Sequence, residues 1–443
     1  MVYQPGQQEN QETGNLFVGV TEAGKQWGTR ARQRRMYGIM EISDISNAEL
    51  LSGSGVKKIR VIGYQLSETV CNRKIKKALE TGGFRVRFAG SMGGLMKQFI
   101  NYKLKERLSF SRRIIRRIRF AMLAAERTLS GGFLKDGKDT AFLLMHYGKA
   151  GDAWLHEEFQ IRKKKEGMQG RVFFYDAMKN IVMKYDKPVL GYAEYSAAWH
   201  CNLRCKGCSH LSNLVKKSVV GDRECFRRNL LRLKELFAHV ETFRFVGGEP
   251  FLNPDLGGLV SEARSAFPAA EIVVVTNGLL IPRLKGDVLD TIRENNVTVY
   301  ISAYPPTMAK KKEIAEALKN HGVRYGFSRP IHQFQYEVGE TPGNGKENYA
   351  HCSLMHCHLL HDDGRLSVCC VPMTYHENRD KLEVQREISE ENWIDITKAE
   401  DGYEILQKMH HPIPFCQYCI TKKKVMFPWQ GGYTQELREK EFI

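Results

Sequence analysis

Residues 191–208 read GYAEYSAAWHCNLRCKGC. Gly191–Ser196 alternates small and aromatic residues in a short run suited to a buried strand. Three cysteines follow it directly, Cys201, Cys205 and Cys208, spaced CxxxCxxC. Thiolates are soft ligands suited to iron–sulfur clusters. Three of them on one short loop can each take one iron of a 4Fe–4S cube, leaving the fourth iron open to activate a substrate. Structural zinc normally takes four protein ligands, so this loop alone suits it poorly.

Downstream, apolar runs alternate with amphipathic ones. Strands are expected at Thr242–Val246, Glu271–Thr276, Val297–Ser302 and Val323–Phe327. Between them the 3.6-residue period predicts helices near Asp222–Val240, Pro254–Phe267, Asp287–Asn295 and Met308–Asn320. In the first, Phe226, Leu230, Leu233 and Phe237 form an apolar face. Such alternation argues for a parallel sheet or partial barrel. Gly247-Gly248-Glu249-Pro250 ends the second strand, Thr276-Asn277-Gly278 the third, and Ser302-Ala-Tyr the fourth. Parallel barrels gather active-site groups at the C-terminal ends of their strands, where the cysteine loop also falls. Paired glycines allow close backbone approach to a ligand, and Glu249 can accept from an ammonium group.

Over about residues 190–330 these motifs resemble the radical S-adenosylmethionine (SAM) superfamily. The resemblance implies a partial (βα)6 TIM-like barrel, with the SAM amino and carboxylate groups on the open iron. One electron then releases methionine and a 5′-deoxyadenosyl radical that abstracts a substrate hydrogen, and the cofactor supplies the difficult chemistry. Carried over by position, Gly247, Gly248 and Glu249 hold the methionine amine, while Asn277 and Ser302 are candidates for the carboxylate or ribose. An electron donor such as flavodoxin or ferredoxin is also implied. One departure stands out: the aromatic residue expected just before the third cysteine is Gly207. Trp199 and Tyr195 are the nearby aromatics that stand in for it.

A second cysteine group follows: Cys352, Cys357, Cys369, Cys370, Cys416 and Cys419. Asp363-Gly364-Arg365-Leu366-Ser367-Val368-Cys369 reads as a hairpin turn that delivers a cysteine, and Cys416-Gln-Tyr-Cys419 is a CxxC pair. The arrangement is similar to the SPASM or Twitch extension of radical SAM proteins, which binds one auxiliary 4Fe–4S cluster. Its ligands are then Cys352 or Cys357, with Cys369, Cys416 and Cys419; Cys357 starts the expected strand more directly and Cys352 fits the longer spacing. A zinc ribbon is the competing reading. Of the remaining cysteines, Cys71, Cys225 and Cys370, the last two are candidate hydrogen-atom donors should the reaction be an epimerisation. His351, His356, His358 and His361 alternate with this group as ligands, acid–base residues or plain surface histidines.

The rest of the 443-residue chain sets the frame. Eleven cysteines, no export signal and no apolar run of spanning length point to metal binding in the cytoplasm rather than a disulfide framework. The net charge of +17 favours acidic partners: phosphorylated substrates, anionic lipid or nucleic acid. Residues 1–55 are weakly patterned. Residues 56–187 begin as a small α/β domain, with strands at Val56–Leu66 and Phe84–Ala89 around a helix from Ser67. A basic helical stretch carries Arg112, Arg113, Arg116, Arg117 and Arg119. It is either a solvated helix face or a peripheral contact with an anionic membrane. Residues 188–335 are the core and 336–443 the cysteine-rich extension. The fold class is therefore α/β: the partial barrel, an N-terminal α/β domain and this C-terminal extension.

The function expected is radical oxidation or epimerisation of a sugar or sugar-like alcohol, as a small or carrier-linked, phosphorylated substrate. The C-terminal cysteine region looks like radical SAM proteins associated with polysaccharide biosynthesis. The alternatives are a radical maturase of a ribosomal peptide and a non-enzymatic iron–sulfur or zinc protein that binds nucleic acid. GGEP and TNG argue against the last, and no specific nucleic-acid partner is expected.

Overall fold

The computed structural model describes residues 58–62, 85–88, 140–146, 150–167, 171–176, 181–184 and 187–432, apart from 216–217, 353–356, 383–385 and 422–424. Segment 1–55, Cys71, His356, the helix expected from Ser67 and the arginine run 112–119 lie outside these residues. The described residues fall into two compact units, one within Trp27–Asp186 and one within Lys187–Ile443. Among them no helix is long and apolar enough to cross a membrane.

The first unit is a sheet of five strands: β1 (Lys58–Ile62), β2 (Arg85–Phe88), β3 (Thr140–His146), β4 (Arg171–Asp176) and β5 (Ile181–Lys184). Their order is β2-β1-β3-β4-β5, parallel except for the β4–β5 pair. Helix α1 (Ala150–Lys165) joins β3 to β4 and ends in Lys163, Lys164 and Lys165.

The second unit carries the strand–helix alternation read from the sequence. Its strands are β6 (Val189–Ala198), β7 (His239–Gly247), β8 (Glu271–Thr276), β9 (Thr298–Ile301) and β10 (Arg324–Phe327). Between them run α2 (Arg223–Leu236), α3 (Leu256–Ala266), α4 (Gly286–Glu294), and the pair α5 (Pro305–Ala309) and α6 (Lys311–Asn320). Asp222 starts α2 by accepting from the N–H of Cys225 at 2.8 Å. Phe226, Leu230, Leu233 and Leu236 bury its apolar face, and Phe226 packs against Tyr195, Phe243 and Phe245 of β6 and β7. Each such buried side chain contributes about 1.5–3 kcal/mol.

Strands β6 to β10 pair in consecutive order, all parallel. The other edge of β6 accepts the chain's later part: β12 (Leu359–Leu360) pairs parallel with it, then β13 (Arg365–Ser367) and β14 (Trp393–Asp395) pair antiparallel. The result is one mostly parallel sheet of eight strands. Among the described residues five strands pair in consecutive parallel order, and β12 adds a sixth parallel strand beside β6. The hairpin expected around Asp363 is β12–β13, turning at Gly364, whose φ of 90° favours glycine. Strand β11 (Gln333–Gln335) pairs instead with β15 (Met426–Pro428) in a separate antiparallel ribbon. Helices α7 (Gly345–Ala350), α8 (Cys370–Glu377) and α9 (Gly402–Met409) complete the unit.

Candidate functional site

The cysteine loop leaves β6 at Trp199 and is gripped from β7. Gly248 N–H donates to Ala198 O at 2.6 Å, and Glu249 N–H donates to His200 O at 3.0 Å. A Cβ on Gly247 or Gly248 would stand closer than 3.0 Å to the backbone oxygens of Ala198 and His200, respectively. The glycine pair is thus explained by close approach to the chain's own cysteine loop.

Glu249 is 0 % exposed. Its Oε1 accepts from Phe251 N–H at 3.2 Å and Thr276 Oγ1 at 2.6 Å, and its Oε2 accepts from Asn277 N–H at 2.9 Å. Burial pushes the carboxyl up to about 7 in spite of these donors. The carboxylate read from sequence as an ammonium acceptor therefore ties the end of β7 to the end of β8. Asn277 continues the chain of contacts, its side-chain amide donating to Asn202 Oδ1 at 2.7 Å and to Cys201 Sγ at 3.8 Å. Ser302, buried beyond β9, donates its N–H to Thr276 O at 2.8 Å, and its hydroxyl bonds the phenol of Tyr304. Burial raises Tyr304, and all three loop thiols raise it further. Cys201, Cys205, Cys208, Glu249, Asn277 and Ser302 are thus gathered at the C-terminal ends of β6 to β9.

The loop sulfurs sit among hydrogen-bond donors. Cys201 Sγ accepts from Leu203 N–H at 3.4 Å, and Cys205 Sγ accepts from the indole N–H of Trp429 at 3.3 Å. Burial is the main reason the Cys201 thiol is pushed up to about 12 and Cys205 is raised as well. Sulfurs that accept N–H donors, as those of Cys201 and Cys205 do, suit thiolates bound to a cationic group, and iron–sulfur potentials depend on such hydrogen bonds. The donor set fits a 4Fe–4S cluster on this loop.

Gly207 has φ of 63°, a left-handed backbone that disfavours an aromatic side chain there. The ring of Phe427 fills the space where a Cβ on Gly207 would stand. The aromatic at this point therefore arrives from the C-terminal segment, and the expectation for Trp199 and Tyr195 is corrected. Trp199 packs on His361 with ring centroids 5.8 Å apart, and the Tyr195 hydroxyl donates to Asp362. Sequence reasoning missed both Phe427 and Trp429.

In the later cysteine group, Cys369 precedes α8 and is raised by burial and then by Cys370, Cys352, Cys419 and Cys416. Cys419 is likewise raised by burial, then by Cys352 and Cys416. Cys352, Cys370, Cys416 and Cys419 are thus near enough to Cys369 to raise its thiol beyond the effect of burial. Cys357 is raised by burial, then by Glu194 and Cys370, against the opposing charge of Arg244. Strand β12 starts two residues after Cys357, and its Leu359 lies in register with Glu194 of β6. Cys225 begins α2 among Asp222, Arg228 and Asp362, apart from both groups. His358 Nδ1 bonds Val368 O at 2.8 Å, His351 Nδ1 bonds Glu347 O at 2.8 Å, and His361 pairs with Asp363 at 2.9 Å.

Residues 200–329 match the Radical SAM superfamily, which uses a 4Fe–4S cluster and S-adenosylmethionine. A GTP 3′,8-cyclase of Trichodesmium erythraeum is 32% identical over 116 residues, 24% of this chain and 34% of that enzyme. Molybdenum cofactor biosynthesis protein 1 of Dictyostelium discoideum is 33% identical over 94 residues, 21% of this chain and 15% of that protein. The match thus spans about a third of the first relative's length and 15% of the second's. Among solved structures, native anSMEcpe with bound AdoMet overlays with a TM-score of 0.35 at 14% identity, covering 51% of this chain and 81% of that one. BtrN in complex with AdoMet and 2-DOIA gives 0.32 at 17% identity, covering 52% and 92%. Overlays this slight carry no argument about the site.

Proposed function

We propose that the chain is a radical SAM enzyme that oxidises or epimerises a carbon of a sugar or sugar-like alcohol joined to phosphate. The observation that carries the radical SAM reading is the placement of Cys201, Cys205 and Cys208 at the C-terminal ends of parallel strands within residues 200–329, with N–H donors on the sulfurs of Cys201 and Cys205. When bound, the loop cluster supplies the electron that splits SAM into methionine and a 5′-deoxyadenosyl radical, which takes a hydrogen atom from the substrate. A soluble one-electron donor of the flavodoxin or ferredoxin kind is the partner this requires.

The three loop cysteines would hold that cluster. Glu249 and Asn277 act as positioning residues, because their hydrogen bonds fix the loop against β7 and β8. Among the described residues Oε2 of Glu249 accepts one hydrogen bond, from Asn277 N–H, which leaves a lone pair for the SAM ammonium. Cys352, Cys369, Cys416 and Cys419 would hold an auxiliary 4Fe–4S cluster, an acceptor for the electron left when an alcohol carbon becomes a ketone. If the carbon is inverted instead, Cys370 is the hydrogen-atom donor, and its thiyl radical is returned to the thiol by one electron from the auxiliary cluster, re-reduced by the soluble donor, and a solvent proton; Cys225 is the alternative donor.

Support for the substrate class comes from the net charge of +17 and from the relatives' own substrate, GTP, which is a phosphorylated sugar compound. The test is anaerobic turnover of deuterated sugar phosphates and nucleotide sugars. Oxidation moves deuterium into 5′-deoxyadenosine and leaves a ketone. Epimerisation in D2O inverts the carbon and adds one solvent deuterium, which Cys370→Ala abolishes. Modification of a co-encoded peptide, with all sugars inert, would overturn the carbohydrate assignment.

A further inference from the structure

The segment from Val425 to Gly432 is bound to the cysteine loop along its length. Strand β15 pairs with β11 in the register Gln333↔Pro428, Phe334↔Phe427 and Gln335↔Met426, and Trp429 N–H extends it by donating to His332 O at 2.9 Å. Lys206 N–H then donates to Gln430 O at 2.9 Å, and Gly432 N–H donates to Leu203 O at 2.8 Å. Just before these two clasps the Trp429 indole stacks on Tyr304, ring centroids 5.7 Å apart at 28°, and Phe427 covers Gly207. Indole is a donor only, and its N–H points at Cys205 Sγ from 3.3 Å. Four independent contacts thus fix one N–H on one loop sulfur. Tyr304 holds the ring plane, and two backbone clasps hold the segment.

We infer that Trp429 is a positioning residue of the loop cluster, its indole N–H setting the cluster's reduction potential through the Cys205 sulfur. The inference rests on the cluster assignment under Proposed function. Reduction adds negative charge that spreads onto the sulfurs, and a fixed N–H stabilises the more negative state. The hydrogen bond therefore makes the cluster easier to reduce. Through the clasps at Leu203 and Lys206 it also makes that potential depend on a segment more than 200 residues away in sequence, as the Trp429–Cys205 separation of 224 shows.

The test is an EPR-monitored redox titration of the full chain with both clusters reconstituted, comparing wild type, Trp429→Phe and Phe427→Leu. Trp429→Phe keeps an aromatic ring on Tyr304 and loses only the donor. Its loop-cluster midpoint is expected to move negative by a tenfold change in the reduction equilibrium, about 59 mV for one electron, with iron content unchanged. Phe427→Leu keeps the indole and is expected to leave the midpoint in place. An unmoved midpoint in Trp429→Phe would overturn the inference. An equal shift in Phe427→Leu would do so too, assigning the effect to solvent exposure. If Trp429→Phe does not hold the cluster, tryptophan's benzothiophene isostere placed at 429 alone keeps the ring shape without the N–H and is read the same way. SAM is added to wild type at the end: a cluster signal that SAM does not alter refutes the proposed function. An unmoved midpoint on a SAM-responsive cluster refutes only the role of Trp429.

Discussion

Gly248 lies so close to His200 that a Cβ on it would stand closer than 3.0 Å to the His200 carbonyl oxygen. The end of β7 and the start of the cysteine loop therefore meet backbone to backbone, and neither side has a flexible atom that can yield. Gly248→Ala is expected to cost about 1–3 kcal/mol or more, as overpacking of a rigid contact does. Because the displaced partner is the residue before Cys201, iron at the loop should fall as well. Iron analysis and thermal unfolding of anaerobically purified protein check both effects; normal values for each would mean the contact is dispensable.

The auxiliary site gives a sharper contrast. Cys352 acts on Cys369 and Cys419, whereas Cys357 lies with Glu194 and Arg244. Wild type should hold about eight irons if both groups carry a 4Fe–4S cluster. Cys352→Ala is expected to lower that to about four, and Cys357→Ala to leave it near eight. The reverse pattern would restore the ligand set read from sequence spacing, and zinc in place of the second four irons would replace it with a zinc site.

Much of this architecture was legible because the parallel strands are buried on both faces and bounded by turns. Glu271–Thr276 was found to the residue, and the helices around it to within a few residues. The helix expected over Met308–Asn320 is two, broken at Lys310 and begun earlier at Pro305, since proline suits a first helical turn. The site was half legible. Local spacing exposed Cys201, Cys205, Cys208 and Glu249, whose partners lie at the ends of neighbouring strands. Trp429 and Phe427 were not, because no local pattern says that a distant two-strand ribbon will lay aromatic rings on Gly207 and Cys205. Cys352 and Cys357 stand five positions apart, and only the pairing of β12 with β6 separates them.

The hairpin that leads into Cys369 has a pH dependence of known sign. Burial raises the Asp363 carboxyl, but hydrogen bonds from His361 and the Arg365 backbone N–H, with the Arg365 charge, outweigh it and hold the group well below its ordinary 3.8. A depressed carboxyl contributes stability that is present above 3.8 and lost as pH falls through the folded value. Asp363→Asn should therefore be less stable than wild type near neutrality, with the gap closing below about pH 4. Denaturant unfolding at pH 7, 5 and 3.5 measures it. A gap that widens on acidification would contradict the assignment.

The most direct measurement is 5′-deoxyadenosine formed when the reconstituted chain, reduced by dithionite without oxygen, is mixed with SAM. Wild type is expected to release 5′-deoxyadenosine and methionine in equal amounts, slowly without substrate. Replacing Cys201, Cys205 and Cys208 together by Ala should abolish this while the auxiliary iron remains. A wild-type loop cluster that is intact and reduced, yet yields no 5′-deoxyadenosine with SAM and any phosphorylated sugar, would contradict the account.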